Sequence, residues 1–299
     1  MVEKTKESIT TLYKQAISFA DNKEYEKADA ILIKIIALEP QNSYEWGRKG
    51  FAFNMLNKPQ KAIPCYQNAL ELEHENIEYL KKVADLYSKI KDHKSALRYY
   101  KKITELEPYK STSWNNLAVC YDNLKNYDEA LKCYNKALTI DPEVPTIWYN
   151  FGTFHHTNKN YPEAIHCLTK FLELQPENDM AWFHLASCYR YENNKELTID
   201  AFKKSLKFNP KDPIAWTCLG IEYAEQEEYK EAIDCYKKAI QLDADDDYTW
   251  DNLRYAYYGI EEYEKAEQCR KRAEELKKDQ YGQLNKQAVR KEKLKSYYI

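Results

Sequence analysis

Between residues 111 and 144 the apolar positions trace two helical faces. Trp114, Leu117, Ala118 and Tyr121 recur at i, i+3, i+4 and i+7, the spacing of one side of an α-helix. A second face follows at Ala130, Tyr134 and Ala137, and Asp141-Pro142 ends it, because proline disfavours helical geometry in the residue before it. The same pattern returns at a fixed interval. Pro40, Pro108, Pro142, Pro176 and Pro210 are spaced by 34 or by twice 34, and Trp46, Trp114, Trp148, Trp182, Trp216 and Trp250 obey the same period. Such a period marks a stacked array of one supersecondary unit. With each proline at position 32 of a unit beginning at Ile9, eight units follow without insertion or deletion: 9–42, 43–76, 77–110, 111–144, 145–178, 179–212, 213–246 and 247–280. Residues 1–8 form an N-terminal extension and 281–299 a basic C-terminal segment.

Each unit predicts a helix-turn-helix. Position 8 is small in seven units (Ala16, Gly50, Ala84, Ala118, Gly152, Ala186, Gly220), and position 20 is mostly alanine, so the paired helices are expected to approach closely. Asn22, Asn57, Asn126, Asn160 and Asn193 fall in the short turn, where asparagine tolerates left-handed geometry. One hairpin cannot bury its aromatic face alone, and stacking on its neighbours would bury it in a continuous core. Only 6 glycines and 10 prolines in 299 residues leave little material for β-hairpins, which favours an all-α fold.

The succession Trp, Leu, Gly or Ala, Tyr, Ala, aromatic, Pro resembles the tetratricopeptide repeat. The segment WTCLGIEYAEQEEYKEAIDCYKKAIQLD, residues 216–243, matches that consensus almost throughout, and the resemblance extends over residues 9–280. It implies a right-handed superhelical solenoid whose concave wall is lined by the first helix of each unit. It also implies that positions 2, 5, 6, 9, 12 and 13 of those helices receive extended peptides or partner helices. In the first three units these positions offer Lys14, Arg48, Lys81 and Lys82, tempered by Glu78 and Asp85. The middle offers Asn115, Asn116, Asn123, Tyr149, Asn150, Phe183, His184, Arg190 and Tyr191, and the last unit Tyr248, Asp251, Asn252, Tyr255 and Tyr258. An asparagine amide both donates and accepts, so it can hold a peptide backbone without demanding a particular side chain. Asn116 and Asn150, at position 6 of successive units, resemble the asparagine ladder of the O-GlcNAc transferase superhelix, although His184 and Cys218 interrupt it before Asn252. The alternative is that they are tolerated polar residues on a wet wall.

The chaperone-binding carboxylate clamp of the family is a poor match. The best alignment places Lys81, Asp85, Asn116, Thr146 and Asn150 at its positions; Asp85 would repel a carboxylate, and the third helix lacks both cations. The segment FHHTNKNYPEAIHC, residues 154–167, raises the question of a metal site. The register scatters its ligands. His155 takes a position held elsewhere by Phe or Tyr and is expected in the core, His156 should face the groove, and His166 falls on a solvated face. Cys167 joins Cys65, Cys133, Cys235 and Cys269 at position 23 as a small buried hydrophobe. No metal or other cofactor is expected. The cysteines, one repeat apart, read as free thiols of a reducing compartment.

The chain has no glycine-rich phosphate loop, no nucleophile elbow and no paired His/Glu zinc motif, so no enzyme or small-molecule substrate is expected. A formal net charge of −3 gives no pull toward nucleic acid or anionic membrane. No window approaches the ~18 to 20 apolar residues of a membrane helix, and MVEKTKESIT lacks an apolar signal core, which points to the cytoplasm or to a nuclear or ciliary assembly. Three irregularities stand out. Pro64 falls inside the second helix of unit two, with an expected kink and a cost of ~3 kcal/mol, and His74 replaces the closing proline of that unit. Arg254, Arg270 and Lys278 suit a terminal repeat with a solvated face. In 281–299, Lys286, Arg290, Lys291, Lys293 and Lys295 face one acid, Glu292, as a solvating cap or as a contact for an acidic partner. The whole reads as a scaffold that docks partner proteins along its groove and outer faces within a larger assembly. A freestanding adaptor for short peptides and a regulatory subunit of an enzyme complex are the alternatives.

Overall fold

The computed structural model describes residues 8–278, and among them every regular element is helical. The helices pair in chain order. Helix α1 (Ile9–Asp21) packs on α2 (Tyr25–Ala37), α3 (Ser43–Met55) on α4 (Pro59–Leu72), α5 (Ile77–Lys89) on α6 (His93–Leu106), and α7 (Ser111–Asn123) on α8 (Tyr127–Ile140). Then come α9 (Pro145–Thr157) and α10 (Tyr161–Leu174), followed by the pairs α11 (Asp179–Tyr191) with α12 (Lys195–Phe208) and α13 (Pro213–Ala224) with α14 (Tyr229–Leu242). Helix α15 (Asp247–Gly259) precedes α16, which runs from 263 to the last described residue, 278. The chain divides into two compact units, Met1–Asn150 and Phe151–Ile299. The basic segment 281–299 lies outside the described residues.

Local chemistry repeats with the fold. Asn42, Asn76, Asn178, Asp212 and Asp246, all at position 34, cap the following first helix by accepting backbone N–H groups of its first turn. Each such cap is worth about 1 kcal/mol. The turn inside each hairpin closes in one way throughout: the backbone N–H of position 16 donates to the carbonyl of position 11, as in Asn126 to Tyr121 at 2.9 Å and Glu228 to Tyr223 at 2.9 Å. This six-residue closure forces position 15 into the left-handed region. Lys23, Asn57, Lys91, Lys125, Lys159, Asn193, Glu227 and Glu261 all have φ between 52° and 62°. The expectation that five asparagines serve this role therefore holds only for Asn57 and Asn193. Asn22 caps the end of α1, and Asn126 and Asn160 follow the left-handed residue. The site is set by the hydrogen-bond geometry of the turn and faces solvent, so an exposed Lys or Glu occupies it at a modest steric cost.

The core forms between hairpins as much as within them. In the first unit Ile9, Leu12, Ile31, Leu32 and Ile35 pack with Ala52 of α3. In the second, Ala201, Phe202 and Leu206 pack with Ala215, Leu219 and Cys235, and Ile233 and Tyr236 with Leu253, Tyr257 and Cys269. Position 8 seats the ring of position 24: a Cβ on Gly220 would stand 2.6 Å from Tyr236. Position 23 is the buried cysteine column, in which burial pushes the Cys65, Cys133, Cys235 and Cys269 thiols up to about 11 and Cys167 to about 12. All eight cysteines are unpaired with one another.

The tryptophan period marks a bridge between successive repeats. In five of the six position-4 tryptophans the indole Nε1–H donates to the carbonyl six residues earlier, at position 32 of the preceding repeat. The pairs are Trp114 to Pro108 (2.9 Å), Trp148 to Pro142 (2.7 Å), Trp182 to Pro176 (2.8 Å), Trp216 to Pro210 (2.9 Å) and Trp250 to Ala244 (3.0 Å). Where His74 stands at position 32, Leu80 stands at position 4, so the indole donor is missing at that junction. Helix α4 runs unbroken across Pro64, which is exposed, so the carbonyl it leaves unpaired lies on the solvent side and the helix need not end. In the last hairpin Arg270, at the buried aromatic position of other repeats, pairs with Glu267 and Glu274 at 2.7 and 2.5 Å.

Two substitutions at position 15 test the turn. Lys125→Gly should raise stability by about 0.5 kcal/mol, because relief of left-handed strain exceeds the added chain entropy. Lys125→Val, β-branched, should lower it by about 1 kcal/mol or more. Urea midpoints of the two variants must move in opposite directions.

Candidate partner-binding wall

Within each unit successive first helices meet directly, α1 with α3 and α13 with α15, which brings their positions 2, 5, 6, 9 and 12 onto a common wall. In the first unit this wall closes into a pocket of about 190 Å³ lined by Tyr13, Arg48, Phe51, Glu78, Tyr79 and Lys82. The Arg48 guanidinium is sandwiched, 3.8 Å from the Tyr13 ring centre and 4.3 Å from that of Tyr44, and its Nη2 donates to the Tyr44 hydroxyl at 2.8 Å. Two cation–π faces fix it more firmly than an exposed ion pair would. Gly47 makes room here, since a Cβ would fall 2.8 Å from the Tyr79 hydroxyl. Of the other cations expected on this wall, Lys14 is exposed, whereas Lys81 pairs with Glu107 at 2.8 Å. Burial opposes ionisation of Glu107, yet hydrogen bonds from Lys81 and Ser113 hold its carboxyl below the usual range. Asp85 accepts from the Tyr100 hydroxyl at 2.8 Å.

Asn115, Asn116 and Asn150 form an amide chain. Asn150 Nδ2 donates to Asn115 Oδ1 at 3.1 Å, and Asn115 Nδ2 donates to Asn116 Oδ1 at 3.3 Å. Asn115, expected on the open wall, is instead buried at 5 % exposure, because it stands beneath the two position-6 amides and orients them. Asn123 is exposed and donates to the Val119 carbonyl of its own helix, and Tyr149 is half-buried.

The second unit gathers an aromatic patch. His156 Nε2 lies 3.0 Å from Ser187 Oγ, its ring 5.4 Å from His184 and 6.1 Å from Tyr161, and Tyr161 stacks on the exposed Tyr191 at 4.5 Å with planes 4° apart. Phe183 turns its edge to Phe202 at 5.5 Å. Arg190 reaches Glu222 at 3.0 Å and Glu225 at 3.2 Å; burial pushes the Glu222 carboxyl up, and Arg190 offsets part of that. Tyr248 and Tyr255 are exposed, and Tyr255 meets Tyr229 at 6.3 Å. Tyr258 lies 6.0 Å from Tyr263, Asn252 donates to the Tyr248 carbonyl at 2.9 Å, and Asp251 accepts from Lys277.

Several members of the wall were not legible in the pattern. Tyr161 lies outside the positions that the repeat assigns to the wall and joins it only through Tyr191. Glu222 shows itself in sequence only as a lone acid within WTCLGIEYA, and its meeting with Arg190 requires the packing of α11 on α13. The histidine and cysteine side chains of 154–167 diverge: His155 is buried against Phe151 at 4.4 Å, His166 is exposed, and Cys167 is buried. Among the described residues no group of three or more His, Cys, Asp or Glu side chains converges as a metal site.

Stacked hairpins that bury their recurrent residues and leave an aromatic and amide wall define a helical-repeat interaction protein. The chain belongs to the tetratricopeptide repeat family, whose models match residues 10–42, 43–76, 77–110, 111–144, 157–213 and 213–246. Among solved structures it is similar to a tetratricopeptide repeat protein from Parabacteroides merdae, with 19% identity, 83% of this chain and 98% of that one covered, and a TM-score of 0.60. It is also similar to YrrB, described as a TPR protein with an unusual peptide-binding site, with 21% identity, 63% and 97% coverage and a TM-score of 0.55. A third is the Cut9–Hcn1 structure of the APC/C, with 16% identity, 83% and 48% coverage and a TM-score of 0.59. At these identities the likeness is one of fold. A comparison with curated protein sequences matched none of them. Among the described residues no helix is long and apolar enough to cross a membrane.

Burial holds the imidazoles of His155, His156 and His184 below the ordinary histidine range, with His156 adding to the effect on His184. In the unfolded chain these groups take protons near pH ~6.5. Below that pH the unfolded state binds more protons than the folded one, so stability contributed by the neutral rings is full above ~6.5 and declines as pH falls toward the folded values. The urea midpoint should therefore drop between pH 7.5 and 5.5. His155→Phe, which fills the aromatic slot without a titrating group, should make that drop smaller.

Proposed function

We propose that this chain is a non-enzymatic scaffold that docks partner proteins along its first-helix wall and outer faces within a larger assembly. The carrying observation is the division of labour within each repeat. The recurrent residues are buried in packing, while Tyr191, Tyr248 and Tyr255 stand 65%, 58% and 60% exposed on or beside the wall. Exposed aromatic side chains at conformationally rigid sites are the usual anchors of protein interfaces. This reading assigns no catalytic role to the serine–histidine contact. Ser187 and His156 touch, but among the described residues no hydrogen bond to an acid orients the ring, and Ser187 sits in mid-helix and His156 in the last turn of its helix, where backbone N–H groups are already bonded. The partners are proteins or peptides, with no nucleic acid, cofactor or small-molecule substrate, and the eight free cysteines suit the cytoplasm. The similar Cut9–Hcn1 structure belongs to a multisubunit complex, which supports the assembly reading by analogy of fold.

A second reading, a freestanding adaptor for short extended peptides, draws on the Asn115–Asn116–Asn150 amide chain, which presents donors and acceptors for a peptide backbone. Native purification with quantitative mass spectrometry separates the two. A stoichiometric, salt-resistant partner supports the scaffold; substoichiometric, shifting clients lost on Asn116→Ala with Asn150→Ala, at unchanged helicity, would replace it with the adaptor.

A further inference from the structure

The Phe151–Ile299 unit carries two grooves in one register, away from the wall just described. The first, about 420 Å³, lies between α12, α13 and α14, with Leu206, Trp216, Tyr223 and Cys235 as its floor and Lys203 and Lys238 at its sides. Adding 34 to each number yields the second, about 620 Å³, with Ile240, Trp250, Tyr257 and Cys269 below and Lys237 and Arg272 at the sides. None of the wall positions 2, 5, 6, 9, 12 or 13 contributes to either groove.

Both grooves combine apolar floors with cations held over aromatic rings. Lys203 Nζ stands 5.5 Å from the Tyr223 ring centre and Lys238 4.2 Å from that of Trp216; Lys237 and Lys265 stand 6.0 and 5.7 Å from Tyr257. Lys265 and Arg272 also have carboxylate partners, Glu262 at 3.2 Å and Asp245 at 3.4 Å. Lys203, Lys237 and Lys238 have no carboxylate within ion-pair distance among the described residues. The first groove sets three cations against Glu231 and Asp234; the second has three cations in its lining, of which Lys265 and Arg272 are paired with acids beside it and Lys237 is not. On a chain whose formal net charge is −3, this is a local reversal of sign.

We propose that the two grooves together bind an acidic, extended segment of a partner protein. One aliphatic or aromatic side chain enters each groove, and carboxylates face Lys203, Lys237 and Lys238. The inference rests on the docking reading above and names the chemistry of one of its surfaces. Because the grooves repeat once per hairpin, the ligand that fits both offers the same acidic and apolar pattern twice. A nucleic-acid strand fits less well: lysines already cover the ring faces that bases would stack on, and Glu231 with Asp234 would repel phosphates.

The test uses the full chain and a fluorescein-labelled 16-residue peptide that alternates Glu or Asp with Leu or Phe, read by fluorescence anisotropy. Saturable binding is expected. It should weaken about 10-fold or more in Lys203→Glu/Lys237→Glu/Lys238→Glu and less in the corresponding Gln variant, and stay unchanged in Arg48→Ala/Tyr191→Ala on the wall. Circular dichroism checks folding, and the Gln variant decides if the Glu variant misfolds. Absence of saturable binding, equal binding by the charge-reversed protein, or displacement by a 16-nucleotide oligothymidylate overturns the proposal. A native partner retained by the charge-reversed protein and lost from the wall variant would overturn it while the docking reading stands. Loss of any native partner from the unmutated chain would strike the docking reading instead, and the peptide result would still decide for the grooves.

Discussion

A hairpin of two short amphipathic helices cannot cover its own apolar stripe, and this deficit governs everything else in the molecule. The uncovered stripe of one hairpin must be closed by the next. Accordingly the core clusters straddle hairpin junctions, as when Phe202 and Leu206 meet Leu219 and Cys235. At about 1.5 to 3 kcal/mol per fully buried large side chain, a junction that buries several of them outweighs any cap or turn within it. Directional hydrogen bonds then set how the hairpins meet. The position-4 indole bonded to the position-32 carbonyl ties the start of one repeat to the end of the last, and the loop cannot shift without breaking it.

This division leaves the rest of each repeat open to specialisation. Positions 4, 7, 8, 11, 20, 24 and 27 are held to size and shape by packing, whereas first-helix faces and the second-helix outer faces answer only to solvent and partners. The first-helix faces therefore differ in character: a tyrosine-clasped arginine and an amide chain in Met1–Asn150, a histidine and tyrosine patch in Phe151–Ile299. The two outer grooves set Lys203 and Lys237, one repeat apart on successive second helices, beside the rings of Tyr223 and Tyr257.

The turn shows how a period can be read correctly while its agent is missed. Asparagine was the natural candidate for a left-handed residue, but the backbone closure between positions 11 and 16 fixes the site by geometry and lets an exposed lysine or glutamate take it. The amides are a second instance. Asn116 and Asn150 share a register position, yet their link runs through Asn115, one position earlier and buried, because the side chain of Asn115 projects into the seam between first helices.

The one-dimensional pattern by itself determined the hairpin, its length, the repeat count of the array and the residues that pack it, because in a solenoid each of these depends on near neighbours at fixed offsets. It also settled the fate of His155 and of the cysteine column, since their positions already had aromatic or buried equivalents in other repeats. Only the tertiary structure decided which wall residues meet. Arg48 between Tyr13 and Tyr44, His156 against His184, Glu222 beneath Arg190 and the tandem outer grooves all join side chains from different hairpins. Their meeting depends on the angle and distance at which hairpins stack, a quantity that no periodicity encodes.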